Sequence, residues 1–409
     1  MQGIKLSGAR LDYLDGVRAF ALILGIVFHA SLSFMPIFIG WAVMDINTSS
    51  NIGAFVVVSH SFRMELFFLI AGYLSCLSAS KHGVKHFLKS RLIRIGIPFV
   101  VGWILLRPLI ISGWTMGGQS MSGDVDIWAG LISGLDSFNG QDVLVGTHLW
   151  FLYYLLIISA SLLSLRCLIA ANDRINAIVT SRADKLINSL AKTPFFKMLL
   201  VLPVTGCLWF MNSWGVDTPD KSLWPMWPVF FLYGGFFCFG WLLAQTKENL
   251  DRLTSFSWWL VTVCIISIVT VLMLSRFEMQ GAHDYYAWIK LGYLFSYALM
   301  MCSLISLTIS VFRAVMSKST AVIRYLADAS YWLYLIHLPV VVWLQIAVAE
   351  LSWHWSLKWG AICTLTIILS LLIYDLLVRA TFVGALLNSK RQASTIITRA
   401  QAIIFSKKS

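Results

Sequence analysis

Residues 13–29 read Tyr-Leu-Asp-Gly-Val-Arg-Ala-Phe-Ala-Leu-Ile-Leu-Gly-Ile-Val-Phe-His. With its flanks this run is long enough to cross a bilayer, which needs roughly 20 mostly apolar residues. Yet it carries Asp15, Arg18 and His29. Ionisable side chains inside a span are costly, so each is a functional candidate. Asp15 and Arg18 are i, i+3 neighbours, close enough to pair near the inner end of the helix. His29 lies about 21 Å further along, at roughly 1.5 Å per residue, in the outer half of the membrane. The bland readings are an interfacial ion pair for the first two and a satisfied packing residue for the histidine. Lys5 and Arg10 precede the run, but no small-residue cleavage site follows, so it reads as a retained helix rather than a signal peptide.

The rest of the 409-residue chain follows the same pattern. Only 12% of residues are charged, against roughly 25% in soluble domains. Apolar residues make up 58%, and the mean hydropathy is +0.78. Too little polar surface exists to coat soluble domains, so secreted, nuclear and cytosolic enzymes are excluded. Apolar runs fall at 14–36, 52–80, 95–112, 148–168, 197–213, 225–245, 257–275, 289–312, 327–348 and 357–379. The expected fold is an all-α polytopic membrane helix bundle of about ten transmembrane helices.

The net charge of +12 fits cytoplasmic loops rather than nucleic-acid binding, because Lys and Arg are retained on the inner side of a bilayer. With both termini cytoplasmic, 25 of the 31 Lys and Arg fall inside. Lys221, Arg276, Lys290 and Lys358 fall outside, and Arg63 and Arg107 within spans or at their ends. The longest outer loop, about 113–147, has no Lys or Arg. Trp114, Trp128 and Trp150 sit in or beside it, as membrane anchors or as platforms for sugar rings. The seven cysteines are scattered singly, which indicates neither a disulfide framework nor a metal site. No internal repeat is visible, which speaks against an inverted-repeat transporter.

Three further groups stand out. The second run contains His60-Ser61-Phe62-Arg63-Met64-Glu65, three ionisable residues in six positions. On one continuous helix His60 and Arg63 share a face. Arg63 holds its charge at any ordinary pH; its bland reading is a structural pair with Glu65. His148 opens the fourth run, followed by Trp150. His337 lies mid-run with Tyr334 one turn earlier, and Pro339 can free a carbonyl for a donor. Finally Lys85, Lys89, Arg91 and Arg94, ahead of Pro98, form a basic inner rim.

The Asp15-Gly16-Val17-Arg18 box with His29 resembles the opening signature of the acyltransferase 3 family of integral membrane proteins. Phe67-Phe68-Leu69-Ile70-Ala71-Gly72-Tyr73 resembles that family's second box, with Ala71 where serine is usual. Arg91-x-x-Arg94 with Pro98, and Tyr331–Pro339, match as well. Within the family, residues 61–68 and 148–152 are most similar to the branch that adds succinyl groups to osmoregulated periplasmic glucans.

The resemblance implies vectorial acyl transfer by a transmembrane domain at 1–385, with a basic cytoplasmic tail at 386–409. The donor is cytoplasmic succinyl-CoA, or another acyl-CoA, as co-substrate. The acceptor is a periplasmic glucan and the setting the bacterial inner membrane. It implies His29 as general base, in direct transfer or by way of a covalent acyl-histidine. Arg63 is then an oxyanion or carboxylate clamp, with His60 or Glu65 orienting the partners. Arg91, Arg94 and Lys85 would hold CoA phosphates. Asp15 and Arg18 would line the CoA path or position the helix. His148, Trp150, Tyr334 and His337 would contact the acceptor. The competing readings are an acetyltransferase of another surface glycan and an exporter of glucan or of an acylated molecule.

Overall fold

The computed structural model describes residues 12–139, 145–192, 200–245, 250, 255–316, 320–388 and 391–398. Among these residues the secondary structure is helical, with no β-strand. Eight helical stretches are long and apolar enough to cross a membrane: Asp12–Phe34, Ser50–His82, Val84–Ser120, Thr147–Ala170, Trp258–Phe277, Tyr286–Val315, Ala321–Val348 and Trp355–Val378. The chain is an all-α, multi-pass membrane protein.

Two of the ten expected runs are shorter. The run at 225–245 is a helix over Trp227–Leu243, 17 residues or about 25 Å. In the run at 197–213 the described helix is Val201–Trp209, and residues 197–199 lie outside the described residues. Asp217 gathers the chain beyond it into a turn. Its carboxylate accepts the backbone N–H of Asn212 at 2.8 Å and of Ser213 at 3.1 Å.

The α-helices are α1 Asp12–Ser31, α2 Ser50–His60, α3 Arg63–His82, α4 Val84–Arg91, α5 Ile97–Ser120, α6 Ile127–Leu135, α7 Trp150–Ala170 and α8 Asp173–Lys192. They continue as α9 Val201–Trp209, α10 Trp227–Leu243, α11 Trp258–Leu274, α12 Tyr286–Val315, α13 Ala321–Val348, α14 Trp355–Ile373 and α15 Phe382–Asn388. They group into two compact units that are not sequential. Unit 1 holds Met1–Ala21, Val57–Arg91 and Trp150–Ser319; unit 2 holds Leu22–Val56, Leu92–Leu149 and Thr320–Ser409.

In unit 1, α3 and α10 meet backbone to backbone. A Cβ on Gly72 would overlap the Phe237 carbonyl, and one on Gly240 the Leu69 carbonyl. Lipid supplies little hydrophobic drive between helices, so small residues that permit such approach are the usual device. The contact aligns Phe68 and Trp150 on Tyr233, with ring centroids at 4.6 and 5.6 Å and planes within 20°.

The run expected at 52–80 as one helix is broken. α2 ends at His60, α3 starts at Arg63, and Phe62 leaves helical geometry at φ −137°, ψ −16°. Neither glycine nor proline marks the break. Ser61 holds it, donating its N–H to the Val57 carbonyl at 3.2 Å and its hydroxyl to Val58 at 2.8 Å. His60 and Arg63 therefore do not share one continuous helical face. Arg63 and Glu65 instead open α3, where the helix dipole favours the carboxylate.

In unit 2 the end of α1 leads into a strap, residues 35–49. The strap returns on itself: Asp45 N–H donates to the Ser33 carbonyl at 2.9 Å and Ser49 N–H to Phe34 at 3.0 Å. A Cβ on Gly117 of α5 would overlap the Ala42 carbonyl, so the strap lies directly on the α5 backbone. Its anchor is a buried ion pair, Lys358 Nζ to Asp45 Oδ1 at 2.8 Å, and the same ammonium donates to the Ala349 carbonyl at 3.0 Å. Lys358, expected among the outer cations, is thus a core residue of α14 with no exposed surface. Burial lifts the Asp45 carboxyl above the usual carboxylate range, and the Lys358 ammonium opposes that shift.

The outer loop expected at 113–147 is largely helical. α5 runs on to Ser120, and α6 begins at Asp126, whose carboxylate accepts the Ala129 N–H at 2.9 Å. Gly130 and Gly134 seat α6 on Met116 and the Pro108 carbonyl. Trp128 stands exposed on the outer side of α6. The first part of the expected tail is clasped. Buried Asp375 accepts from Ser394 Oγ at 2.6 Å, from the Thr395 and Ile396 N–H groups at 3.1 and 3.0 Å, and from Arg379 at 3.1 Å.

Lys358→Met leaves Asp45 buried without its cation, and breaking such a pair costs about 3–5 kcal/mol. The expected outcome is a large fall in thermal stability in detergent, much of it recovered in the double variant Asp45→Asn/Lys358→Met. Equal stability of Lys358→Met and wild type would show that the pair does not anchor the strap.

Candidate active site

His29 occupies the last turn of α1, and three elements of unit 2 close around it. The strap lays Trp41 over the imidazole, centroids 5.4 Å apart and planes within 18°. α13 brings His337 to the ring at 5.3 Å, and His337 in turn meets His148 at 5.8 Å. Trp114 of α5 backs Trp41 edge-on at 5.3 Å. Three histidines expected separately from sequence therefore form one array, with Tyr334 beside it at 5.8 Å from His148.

Backbone hydrogen bonds set the tautomers. Pro339 has no N–H, so the Leu335 carbonyl four residues earlier loses its helical donor. His148 Nε2 meets that carbonyl at 2.9 Å. A carbonyl can only accept, so Nε2 carries the proton and the lone pair of His148 sits on Nδ1, a buried atom without a hydrogen-bond partner among the described residues. His337 Nδ1 lies 2.8 Å from the Tyr334 carbonyl and 3.1 Å from that of Leu333, which places its lone pair on Nε2. The Tyr334 hydroxyl donates to the His148 carbonyl at 2.6 Å, completing a reciprocal clasp. Thr147, next to His148, is held at φ +48°, a left-handed conformation rare for a β-branched residue. Such conformations persist only where the surroundings over-determine them. His148 and His337 are thus each oriented by a ring nitrogen that donates to the backbone, and in the neutral form the other nitrogen of each can accept a proton from a hydroxyl.

The other expected residues fall elsewhere. His60, Arg63 and Glu65 lie in unit 1. His60 Nε2 meets the Val216 carbonyl at 2.9 Å, and Arg63 and Glu65 are both buried. Glu65 is within electrostatic reach of Arg63, Tyr233, Tyr297 and Cys302. Trp150, expected beside His148, is packed in the unit 1 aromatic stack on Tyr233. Asp15 and Arg18 pair at 3.6 Å, as their spacing indicates. Arg91 donates to the Ser75 hydroxyl and covers the Phe87 ring at 4.9 Å. Arg94 and Lys85 are exposed, and the Arg94 carbonyl, deprived of a donor by Pro98, accepts the Tyr331 hydroxyl at 2.7 Å. Among the described residues no group of three or more His, Cys, Asp or Glu is placed to hold a metal ion.

Sequence reading missed Trp41 and Gln345. Gln345 of α13 is 1% exposed. Its Nε2 donates to the His29 and Ala30 carbonyls at 3.0 and 3.2 Å, and its Oε1 accepts from Trp41 Nε1 at 2.9 Å. An amide inside an apolar run is itself a signal, because it needs partners there.

His148→Phe removes the donor to the Leu335 carbonyl and is expected to cost about 1–3 kcal/mol of stability, read as a fall in melting temperature. Adding Pro339→Ala restores a backbone N–H to that carbonyl and recovers part of the loss. An equal loss with and without Pro339 would show that this bond is not its source.

The acyltransferase 3 family profile, described as an acyltransferase domain, matches residues 11–375. Glucans biosynthesis protein C of Escherichia coli O139:H28 is 24% identical over 383 residues, covering 92% of this chain and 94% of that protein. The protein of the same name from Escherichia coli O157:H7 (strain EC4115) is 24% identical over 384 residues, with the same coverage. That of Escherichia coli K12 is 33% identical over 147 residues, 36% of each chain. No solved structure matches. The profile spans most of the chain, from the start of α1 to the end of α14, and the chain belongs to the acyltransferase 3 family of membrane acyltransferases.

Proposed function

We propose that the protein is an inner-membrane O-acyltransferase that moves an acyl group, succinyl, from cytoplasmic acyl-CoA to hydroxyls of periplasmic glucans. Family membership supports acyl transfer, and likeness to glucans biosynthesis protein C over 92% of the chain supports a glucan acceptor. The observation that carries the catalytic reading is the histidine array: His29 stacked on Trp41 and flanked by His337.

His29 acts as general base. It takes the proton of a glucan hydroxyl as the oxygen attacks the thioester carbonyl; the carbon–sulfur bond breaks, and the thiolate leaves and receives the proton. His337, Tyr334 and His148 shape the acceptor side. In unit 1 the fixed charge of Arg63 suits a carboxylate or an oxyanion, with Glu65 and His60 as its neighbours in sequence. Arg91, Arg94 and Lys85 supply cations for CoA phosphates. Asp15 and Arg18 hold the start of α1.

The test is a mass spectrum of periplasmic glucans from a strain lacking the gene, complemented with wild type or His29→Ala. Wild type restores succinyl-bearing glucans; His29→Ala, present in the membrane at wild-type amount, lowers the modification about 100-fold or more. Full modification by His29→Ala sinks the base assignment. Glucans that are unmodified with every version move the acceptor to another surface glycan, and glucans retained inside the cell in the deletion strain favour an exporter.

A further inference from the structure

We propose that Gln345 is a positioning residue for His29, one amide that fixes both the backbone and the stacking partner of the catalytic imidazole. This rests on the reading of His29 as general base.

At Ser31 α1 passes into a 3-10 turn, Leu32–Phe34, so the carbonyls of His29 and Ala30 lie where the α-helical ladder ends and side-chain donors commonly assist. Gln345 has two amide hydrogens, and its Nε2 reaches both of these carbonyls, at 3.0 and 3.2 Å. Its Oε1 takes the indole N–H of Trp41 at 2.9 Å. Carbonyls only accept and an indole N–H only donates, so the amide has one possible orientation. No other uncharged side chain of this length supplies two donors and an acceptor in that order. Leucine or methionine removes both donors to these carbonyls and the acceptor of the indole N–H, at a position with 1% exposure.

The geometry ties this amide to catalysis rather than to packing alone. Trp41 is the ring stacked on His29, and Trp114 braces its far side. Gln345 lies eight residues after His337 on the same helix, so α13 carries both the histidine that meets the His29 ring and the amide that holds its backbone. Loss of the amide frees the end of α1 and the indole together. The imidazole then samples orientations away from the reacting hydroxyl, and a misplacement of about 1 Å is enough to cost about 100-fold in rate.

The experiment measures CoA release from succinyl-CoA with a glucan acceptor, using full-length protein in liposomes. Wild type is compared with Gln345→Met, Trp41→Phe, the double variant and His29→Ala, each at a temperature where it remains folded. Gln345→Met is expected to lower kcat about 100-fold with KM for succinyl-CoA unchanged, and to shift the pH–rate profile. Trp41→Phe keeps an aromatic ring over His29 and removes the indole N–H while leaving both Gln345 donors in place, so a smaller fall in kcat is expected. The double variant is expected to be no slower than Gln345→Met, because both remove the same bond. If Gln345→Met does not fold, Trp41→Phe carries the test, and a wild-type kcat and pH profile there overturns the proposal. A folded Gln345→Met with wild-type kcat and pH profile, beside an inactive His29→Ala, overturns the positioning role and leaves the base intact. An active His29→Ala overturns both.

Discussion

A backbone carbonyl without a donor costs several kcal/mol in hydrocarbon, and this constraint organises the candidate site. Several polar side chains of unit 2 stand where helices fail to satisfy themselves. Pro339 strips Leu335 of its donor, and His148 supplies one. Pro98 does the same to Arg94, and Tyr331 answers. At the end of α1, Gln345 donates to the carbonyls of both His29 and Ala30. The ion pair of Lys358 with Asp45 also meets the Ala349 carbonyl at the end of α13. Repair of the backbone and construction of the site are here the same set of bonds. That is why the rings of His148 and His337 are oriented by the backbone itself.

Unit 1 meets the constraint differently. α2 and α3 break without proline or glycine, and Ser61 closes the gap from its own side chain and N–H. The break puts Glu65 in the first turn of a helix, where a carboxylate is favoured. The glycines of α3 and α10 then bring the stack of Phe68, Tyr233 and Trp150 into register. Arg63 and Glu65 are therefore buried at the start of a helix that meets α10 backbone to backbone.

The spanning helices and the ionisable residues inside them were legible because length, apolarity and cost in lipid are local properties. His29, His148, His337 and Tyr334 were legible as separate candidates, and Pro339 as the source of a free carbonyl. That His148 fills it was not legible, since the two positions are 187 residues apart in sequence. The break at Ser61 was hidden because it uses residues that also fit a helix. Lys358 read as an outer cation because its acid lies 313 residues earlier in a short loop. α6 was hidden in a segment read as an outer loop; its Gly130 and Gly134 are what let it pack against α5.

The strap has a consequence for the order of events during synthesis. Trp41 and Asp45 leave the ribosome early, but their partners Gln345 and Lys358 follow 304 and 313 residues later. At about 5–20 residues per second, that interval is about 15–60 s. Throughout it α1 is already in the bilayer with its histidine, while the indole and the carboxylate wait without the amide and the cation that seat them. The histidine site is assembled only when α13 and α14 insert, so a chain released before them carries His29 but no site.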